Sequence, residues 1–505
     1  MNNDLSRVKR KLVSNTFYLF LDYSTVSVFS LIFWASAGKF LLPAEYGIAS
    51  LSINLVVLFA SLAGLGLSVA LSKLLPEYLE KNQIDKTKKL IKFSLIIVLF
   101  SSLLLSGLFF LLSPQLSLNL PNHIILFLSV LIVFTALSQI ILGILSGYQN
   151  MKGLFFTDML SNVSKLLLSI FLMFLGFNYL GPIFGFGIGI LMVSLLRFRL
   201  LPRLNLPTKG LDKKNVFFEY AIPSFIVGIS TILLTNGQIA ILGLLKNPEI
   251  TGIFSVAFIV SNVLVMIFRI MSRALLPITS QLSVRKDSDK MQGYFINLVL
   301  RYGLLISIPI LIFFTLFADN LILIFSSKEY LSASSLVPIL SVASVLYGIS
   351  IVLNSSIYAI GKPKIQQNIS IVSSIIFLLL AVPLTLMFSA NGMSYSYLIY
   401  SVILVALGIY NIKKYLEVKL PLESFYKIMV SGIVSFALLF TFLIFTRNII
   451  ESIAFAIISG LTYITILIVM RFVTSDDVKV LSFFANRLPI FKRQFVYIIN
   501  KIPKS

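Results

Sequence analysis

An all-α integral membrane fold of about 14 transmembrane helices, arranged as two six-helix lobes in parallel repeat plus two extra C-terminal helices, is predicted by three observations. Of 505 residues, 58% are apolar and 12% charged, and mean hydropathy is +0.99. A soluble domain carries roughly 25% charged and about 45–50% apolar residues, so this excess lies beyond one buried core. Apolar runs of about 17–25 residues recur along the chain, each able to cross a hydrocarbon layer about 30 Å thick. Finally, Lys and Arg collect in alternate loops.

The spans read near residues 12–38, 47–72, 93–112, 122–146, 154–176, 179–196, 217–245, 250–272, 294–318, 332–358, 366–388, 392–411, 428–446 and 452–470. Before the first, the basic stretch Arg7, Lys9, Arg10, Lys11 runs into a full-length apolar segment. It lacks a short apolar region and small-residue cleavage site, so no cleavable leader is expected. The longest polar stretches, about 73–92, 197–215 and 281–293, are too short for a soluble domain. The tail after Met470 mixes aromatics with Arg487, Lys492 and Arg493, the pattern of an interfacial amphipathic helix or of a frayed basic end.

With the N-terminus placed in the cytoplasm, only Lys39, Lys246, Lys328 and Arg447 of the 41 basic residues fall outside. That asymmetry is the positive-inside signature, and one missed span would scramble it. Both termini are therefore expected in the cytoplasm of a cell-membrane protein. The net charge of +22 is then a topology signal, with attraction to anionic membrane lipids as a secondary effect. Nucleic acid is not an expected partner, because the basic residues are spread over loops instead of lining one groove. Cysteine is absent and His123 is the single histidine, which excludes disulfides, thiolate chemistry and a His-rich metal site. No cofactor is expected.

An internal repeat supports two lobes. Gly38, Pro43, Gly47, Ile48 and Ser50 recur 205 residues later as Gly243, Pro248, Gly252, Ile253 and Ser255. Both copies join the first two helices of a six-helix set. An even number of spans per repeat keeps the halves in one orientation, related by an axis along the membrane normal, with a transport site between them near the midplane. Lobes over 1–210 and 211–415 follow, with 416–505 as two further helices and the tail. The competing reading is chance similarity of turn residues, since Pro and Gly recur in turns.

At these residues the chain resembles the oligosaccharide flippases of Wzx type, in the multidrug/oligosaccharidyl-lipid/polysaccharide exporter superfamily. The first outer turn, Lys39-Phe-Leu-Leu-Pro43-Ala-Glu-Tyr-Gly47, matches that family's turn with Lys for Arg and Leu for the first Gly. Leu145-Ser-Gly147-Tyr-Gln149-Asn-Met-Lys-Gly153 resembles its signature after the fourth span, and Tyr220-Ala-Ile-Pro223 the opening of its second half. The longest match runs from Phe325-Ser-Ser-Lys-Glu-Tyr330 through Ala359-Ile-Gly-Lys-Pro-Lys364 to Val382-Pro383. Asn391-Gly-Met393 stands where the family has a Gly-Ile-x-Gly-Ala run, without the second Gly. The resemblance covers roughly residues 12–412. It implies a V-shaped cavity, alternating access and a polyprenyl-(di)phosphate-linked oligosaccharide as cargo, with glycan-assembly enzymes as neighbours in the membrane.

Charges inside a membrane are costly and usually face a cavity or a partner. Only 31 residues separate Lys165 from Arg197, too few for two spans and a turn, so Lys165 must lie inside the fifth span. An embedded cation suits a phosphate-bearing headgroup. The alternative is a structural pair with Asp22 or with Asp158, which lies seven residues earlier on the same helical face. Asp22 precedes 16 uncharged residues ending at Gly38, so it is embedded too, as a coupling-ion site or as the partner of a buried base. Arg301 sits at or just inside a span edge. Arg269 follows a 19-residue uncharged run, and snorkelling is enough to explain it. Asn236 and Gln238 lie in the middle of the seventh span, where a helix–helix hydrogen bond competes with a substrate contact. Lys165, Arg301, Arg269, Lys39, Asn236 and Gln238 are the substrate-binding candidates, and Asp22 the coupling-ion candidate.

Three functions compete. The first is a flippase for lipid-linked oligosaccharide. An ion-coupled exporter of small molecules or drugs needs an acidic cluster in one lobe, for which a single embedded Asp is thin support. A membrane glycosyltransferase acting on lipid-linked sugars needs outer carboxylates in a sizeable loop. The outer acids Glu45, Glu249, Asp319, Glu329 and Glu451 are dispersed over short loops, so no enzyme is expected.

Overall fold

The computed structural model describes residues 2–115, 120–202, 216–282, 288–359, 363–415, 422–445 and 449–472, and among them it is helical without strands. The expected amphipathic tail falls outside this set. α1 (Asn2–Phe40) is followed by α2 (Pro43–Ala63) and α3 (Leu67–Glu80). Pro43 fits the first turn of α2, where its missing N–H has no helical partner to lose. The Glu45 carboxylate accepts the Leu42 amide at 3.1 Å. Leu65 and Gly66 take left-handed φ of 48° and 72°, breaking into two helices what the sequence reads as one span over 47–72.

α4 (Ile84–Leu112), α5 (Asn122–Gly147), α6 (Met151–Phe174) and α7 (Leu180–Arg199) complete the first half. The Gly147–Gly153 signature is the α5–α6 turn. Gln149 reverses the chain at φ 57°, and Asn150 caps α6 by accepting the Gly153 amide at 3.0 Å.

α8 (Val216–Leu245) carries π-helical turns at Val216–Ala221 and Leu233–Gly237. α9 (Pro248–Leu282) and α10 (Ser288–Leu316) lead to a segment that the sequence reads as a loop over 319–331 and as the start of a span from 332. It holds a short helix, α11 (Ala318–Phe325), and a 3-10 stretch over Lys328–Leu336, ahead of α12 (Val337–Ala359).

Residues Pro363–Tyr415 form 53 residues of helix broken at Ser389, at φ 53° and ψ −129°. Unbroken, they would extend about 80 Å. Instead the Phe377 and Tyr400 rings lie 5.6 Å apart. A side-chain carbon on Gly392 would fall 1.8 Å from the Leu384 carbonyl oxygen. The stretch is an antiparallel pair, α13 (363–388) and α14 (390–415). α15 (Leu422–Phe445) and α16 (Ile449–Val469) follow.

Among the described residues twelve helices are long and apolar enough to cross a membrane, with Lys364–Tyr415 counted once. Taking that pair as two crossings and adding α16 brings the total to the expected number, about 14. One core joins α2 to α7 through Leu71, Leu75, Leu128, Ile132 and Ile141. A second joins α9 to α14 through Phe254, Phe268, Leu340, Phe377 and Tyr400. Large apolar side chains also point outward, among them Phe100, Leu111, Phe174, Leu379 and Val469. A soluble monomer does not expose so wide an apolar belt; a lipid-facing bundle does, and the protein is a multi-pass membrane protein.

Candidate transport site between the halves

The halves meet where α1 and α2 pack on α9, and α2 and α3 on α8. At one end, carrying the 41–42 and 246–247 turns, contact is close. Gly47 faces Pro248 and Gly252 faces Pro43, so the two copies of the repeat touch each other. The Ser50 and Ser255 hydroxyls, 205 positions apart, lie 3.1 Å from one another. The α11 segment then straps α1 down. Ser327 N–H donates to the Gly38 carbonyl at 3.0 Å, and Tyr330 donates its hydroxyl to the Leu41 carbonyl at 3.0 Å. Behind this seal Trp34, Ala35, Tyr46, Val256, Ile259 and Phe325 line a small, partly open cleft. Pockets for drug-sized ligands measure about 300–1,000 Å³, and this cleft is far smaller.

Lys39 stands at the sealed end, exposed, and its ammonium donates to the Leu323 carbonyl at 2.5 Å. Deeper, Asn236 donates to Asn54 Oδ1 at 2.7 Å, joining α8 to α2 across the halves. Asn54 in turn donates to the Ser50 carbonyl at 2.7 Å, and Thr235 donates to Asn236 Oδ1 at 2.9 Å. Gln238 is fully buried and donates to the Leu234 carbonyl of its own helix.

The ionic group of the first half lies among α1, α5, α6 and α7. Glycines 181, 185 and 189 repeat every fourth position of α7, letting it press against α6. The same stripe continues to Arg197, which is 4% exposed. Its guanidinium donates to Asp158 Oδ1 at 2.5 Å. It also donates to the Ser138 hydroxyl and carbonyl of α5 at 2.8 and 3.1 Å. Asp22 of α1 lies within hydrogen-bonding reach of the Asp158 carboxyl. Asp158 is thus paired with Arg197, which hydropathy places just beyond the end of the sixth span.

Lys165 lies two turns along α6 from Asp158. Its stem passes Gly189, and its ammonium rests 4.7 Å from the centre of the Phe33 ring of α1. Among the described residues it has no ion pair. Phe33 stacks edge-on against Trp34 at 5.0 Å, which places Lys165 two rings from the space between the halves.

The other two cations are in the second half. Arg269 of α9 lies within electrostatic reach of Tyr347 and Tyr397, which sit 6.0 Å apart on α12 and α14. Arg301 of α10 donates to the Phe472 carbonyl and lies 4.2 Å from the Phe472 ring. With Tyr463 donating to the Leu305 carbonyl at 3.2 Å, Arg301 ties α16 and the segment after it to the second half. The described residues hold no cluster of His, Cys, Asp or Glu able to bind a metal.

The fold is that of known exporters. A lipid II flippase, MurJ, in an inward closed conformation, superposes with a TM-score of 0.70 at 18% identity, covering 90% of this chain and 98% of that one. An inward-facing multidrug resistance MATE family transporter of the MOP superfamily gives 0.60 at 15% identity, covering 77% and 94%. In sequence, the probable low-salt glycan biosynthesis flippase Agl15 of Haloferax volcanii is 20% identical over 244 residues, 48% of this chain and 52% of the relative. The chain therefore matches about half the length of that curated relative. The family described as polysaccharide biosynthesis protein matches residues 12–283, more than half of the chain, and the chain belongs to that family.

Proposed function

We propose that the protein flips a polyprenyl-phosphate- or diphosphate-linked oligosaccharide from the cytoplasmic to the external leaflet by alternating access of its two lobes. The carrying observation is the contrast between the embedded charges. Asp158 is matched by Arg197, whereas Lys165, among the described residues, meets an aromatic ring and no acid and stays available to an anionic headgroup. Membership of a polysaccharide biosynthesis family supports a glycan cargo. The loop asymmetry of Lys and Arg supports a cytoplasmic N-terminus, with the sealed end facing outward. The decisive experiment deletes the gene and asks whether lipid-linked glycan accumulates on the cytoplasmic leaflet. Unchanged distribution of that lipid overturns the reading.

A second reading, an ion-coupled exporter of small molecules, is favoured by the similarity to the MATE transporter and by the neighbouring Asp22 and Asp158 carboxyls. It requires cation-dependent transport. Arg197 weighs against it, because a fixed cation already sits beside both acids.

A further inference from the structure

The sealed end is built on an unusually close crossing of α2 and α9, and the crossing is reciprocal. A side-chain carbon on Gly47 would fall 1.8 Å from the Pro248 carbonyl oxygen and 3.0 Å from the Gly252 nitrogen. One on Gly252 would fall 1.9 Å from the Pro43 oxygen and 3.1 Å from the Gly47 nitrogen. Each glycine thus rests on the first-turn backbone of the opposite helix. Both obstructing atoms are backbone, so no side-chain rotation relieves the clash. Only separation of the helices by more than about 1 Å can make room. Away from this end the halves make a second close approach, where a side-chain carbon on Gly66 would fall 2.2 Å from the Ala221 carbonyl oxygen, whereas the Asn236–Asn54 bond is carried by flexible side chains.

The position of the crossing matters as much as its closeness. Residues 43, 47 and 50 pair with 248, 252 and 255, so an axis relating the two halves runs between them. Halves that rock about such an arrangement must open or close this crossing first, since it lies where α2 and α9 begin. We propose that the Gly47–Gly252 crossing is the closing contact of the outer gate, and that a single methyl group on either glycine holds this end of the bundle open. The proposal rests on the two-lobed transport reading for its purpose, but its test needs no cargo.

The chain has no cysteine, so Ala35→Cys supplies one reporter thiol in the space behind the seal. A membrane-impermeant maleimide is applied to intact cells from the sealed side. In the otherwise native chain labelling should be slow. Adding Gly47→Ala or Gly252→Ala should raise it several-fold, whereas Gly228→Ala, with nothing within 4 Å, should not. Equal labelling in folded Gly47→Ala and native-glycine chains overturns the proposal. If neither alanine variant accumulates, Ser50→Cys/Ser255→Cys decides. Oxidation should link the two thiols and stop flipping of a fluorescent polyprenyl-diphosphate sugar, and reduction should restore it. Failure to link, or undiminished flipping by the linked protein, overturns the gate. A reduced protein that flips nothing overturns the flippase reading instead, while the maleimide result still judges the gate.

Discussion

Arg197 and Asp158 meet at 2.5 Å inside the first half of the bundle, joining the end of α7 to the start of α6. Removing one partner of such a pair leaves an uncompensated buried charge, at a cost of about 3–5 kcal/mol, whereas removing both leaves only the neighbouring Asp22 carboxyl of α1. Arg197→Ala should therefore lower the thermal midpoint of the detergent-solubilised protein markedly. Arg197→Ala/Asp158→Ala should recover much of the loss. Unfolding followed by size-exclusion chromatography reads both. A double variant no more stable than Arg197→Ala shows that the pair is not a unit.

How legible this group was in the sequence follows from α7. The glycines at 181, 185 and 189 mark a face that must press against another helix, and Arg197 lies eight residues on, on that same face. Hydropathy alone stopped the span at residue 196 and put Arg197 just beyond its end. The embedded positions of Lys165 and Asp22 were readable, because the uncharged runs beside them were too short. The Gly47–Gly252 repeat was readable as a repeat, but not as a contact: periodicity shows kinship, and only folding brings the copies together. The break at Leu65–Gly66 was not readable, because it interrupts an apolar stretch without Pro, and the α11 strap was not, because Asp319, Asn320, Lys328 and Glu329 give it the composition of a loop.

Lys165→Ala should abolish transport while leaving accumulation and insertion intact, if the ammonium meets an anionic headgroup. Lys165→Arg should keep part of the activity, because a point charge is what the phosphate needs. Initial flipping rates in proteoliposomes, normalised to inserted protein, check this. Normal transport by Lys165→Ala, or failure of that variant to accumulate, assigns Lys165 to structure.

The Asn236–Asn54 bond links the halves through side chains. Interhelical hydrogen bonds in membranes average about 0.6 kcal/mol, with a maximum of roughly 1.7 kcal/mol. A double-mutant cycle with Asn54→Ala and Asn236→Ala should give a coupling in that range on thermal stability. Strict additivity would mean that the bond contributes nothing to holding the halves.

Both termini should lie in the cytoplasm, since 37 of the 41 basic residues then fall on that side. Single cysteines placed near either end of this cysteine-free chain should resist an impermeant thiol reagent in intact cells. Labelling of either from outside breaks the even-span topology.

The last prediction concerns the driving force. A diphosphate-linked cargo carries about two negative charges, and the cytoplasm is electrically negative. Each charge moved through 100 mV is worth about 2.3 kcal/mol, so two gain roughly 4–5 kcal/mol, more than a thousandfold in equilibrium ratio. That bias needs no coupling ion, which suits a chain whose embedded acids sit beside Arg197. Asp22→Asn keeps a side chain able to hydrogen-bond Asp158, so it should preserve both fold and export. Collapsing the membrane potential at constant pH gradient should instead reduce export. Proteoliposomes with an imposed potassium diffusion potential separate the two. The potential acts on net charge moved, so a Lys165 that travels with the headgroup would shrink the effect toward one charge, and the slope of rate against voltage reports that number. Potential-independent flipping, or loss of all activity in a folded Asp22→Asn, assigns the work to ion antiport through Asp22.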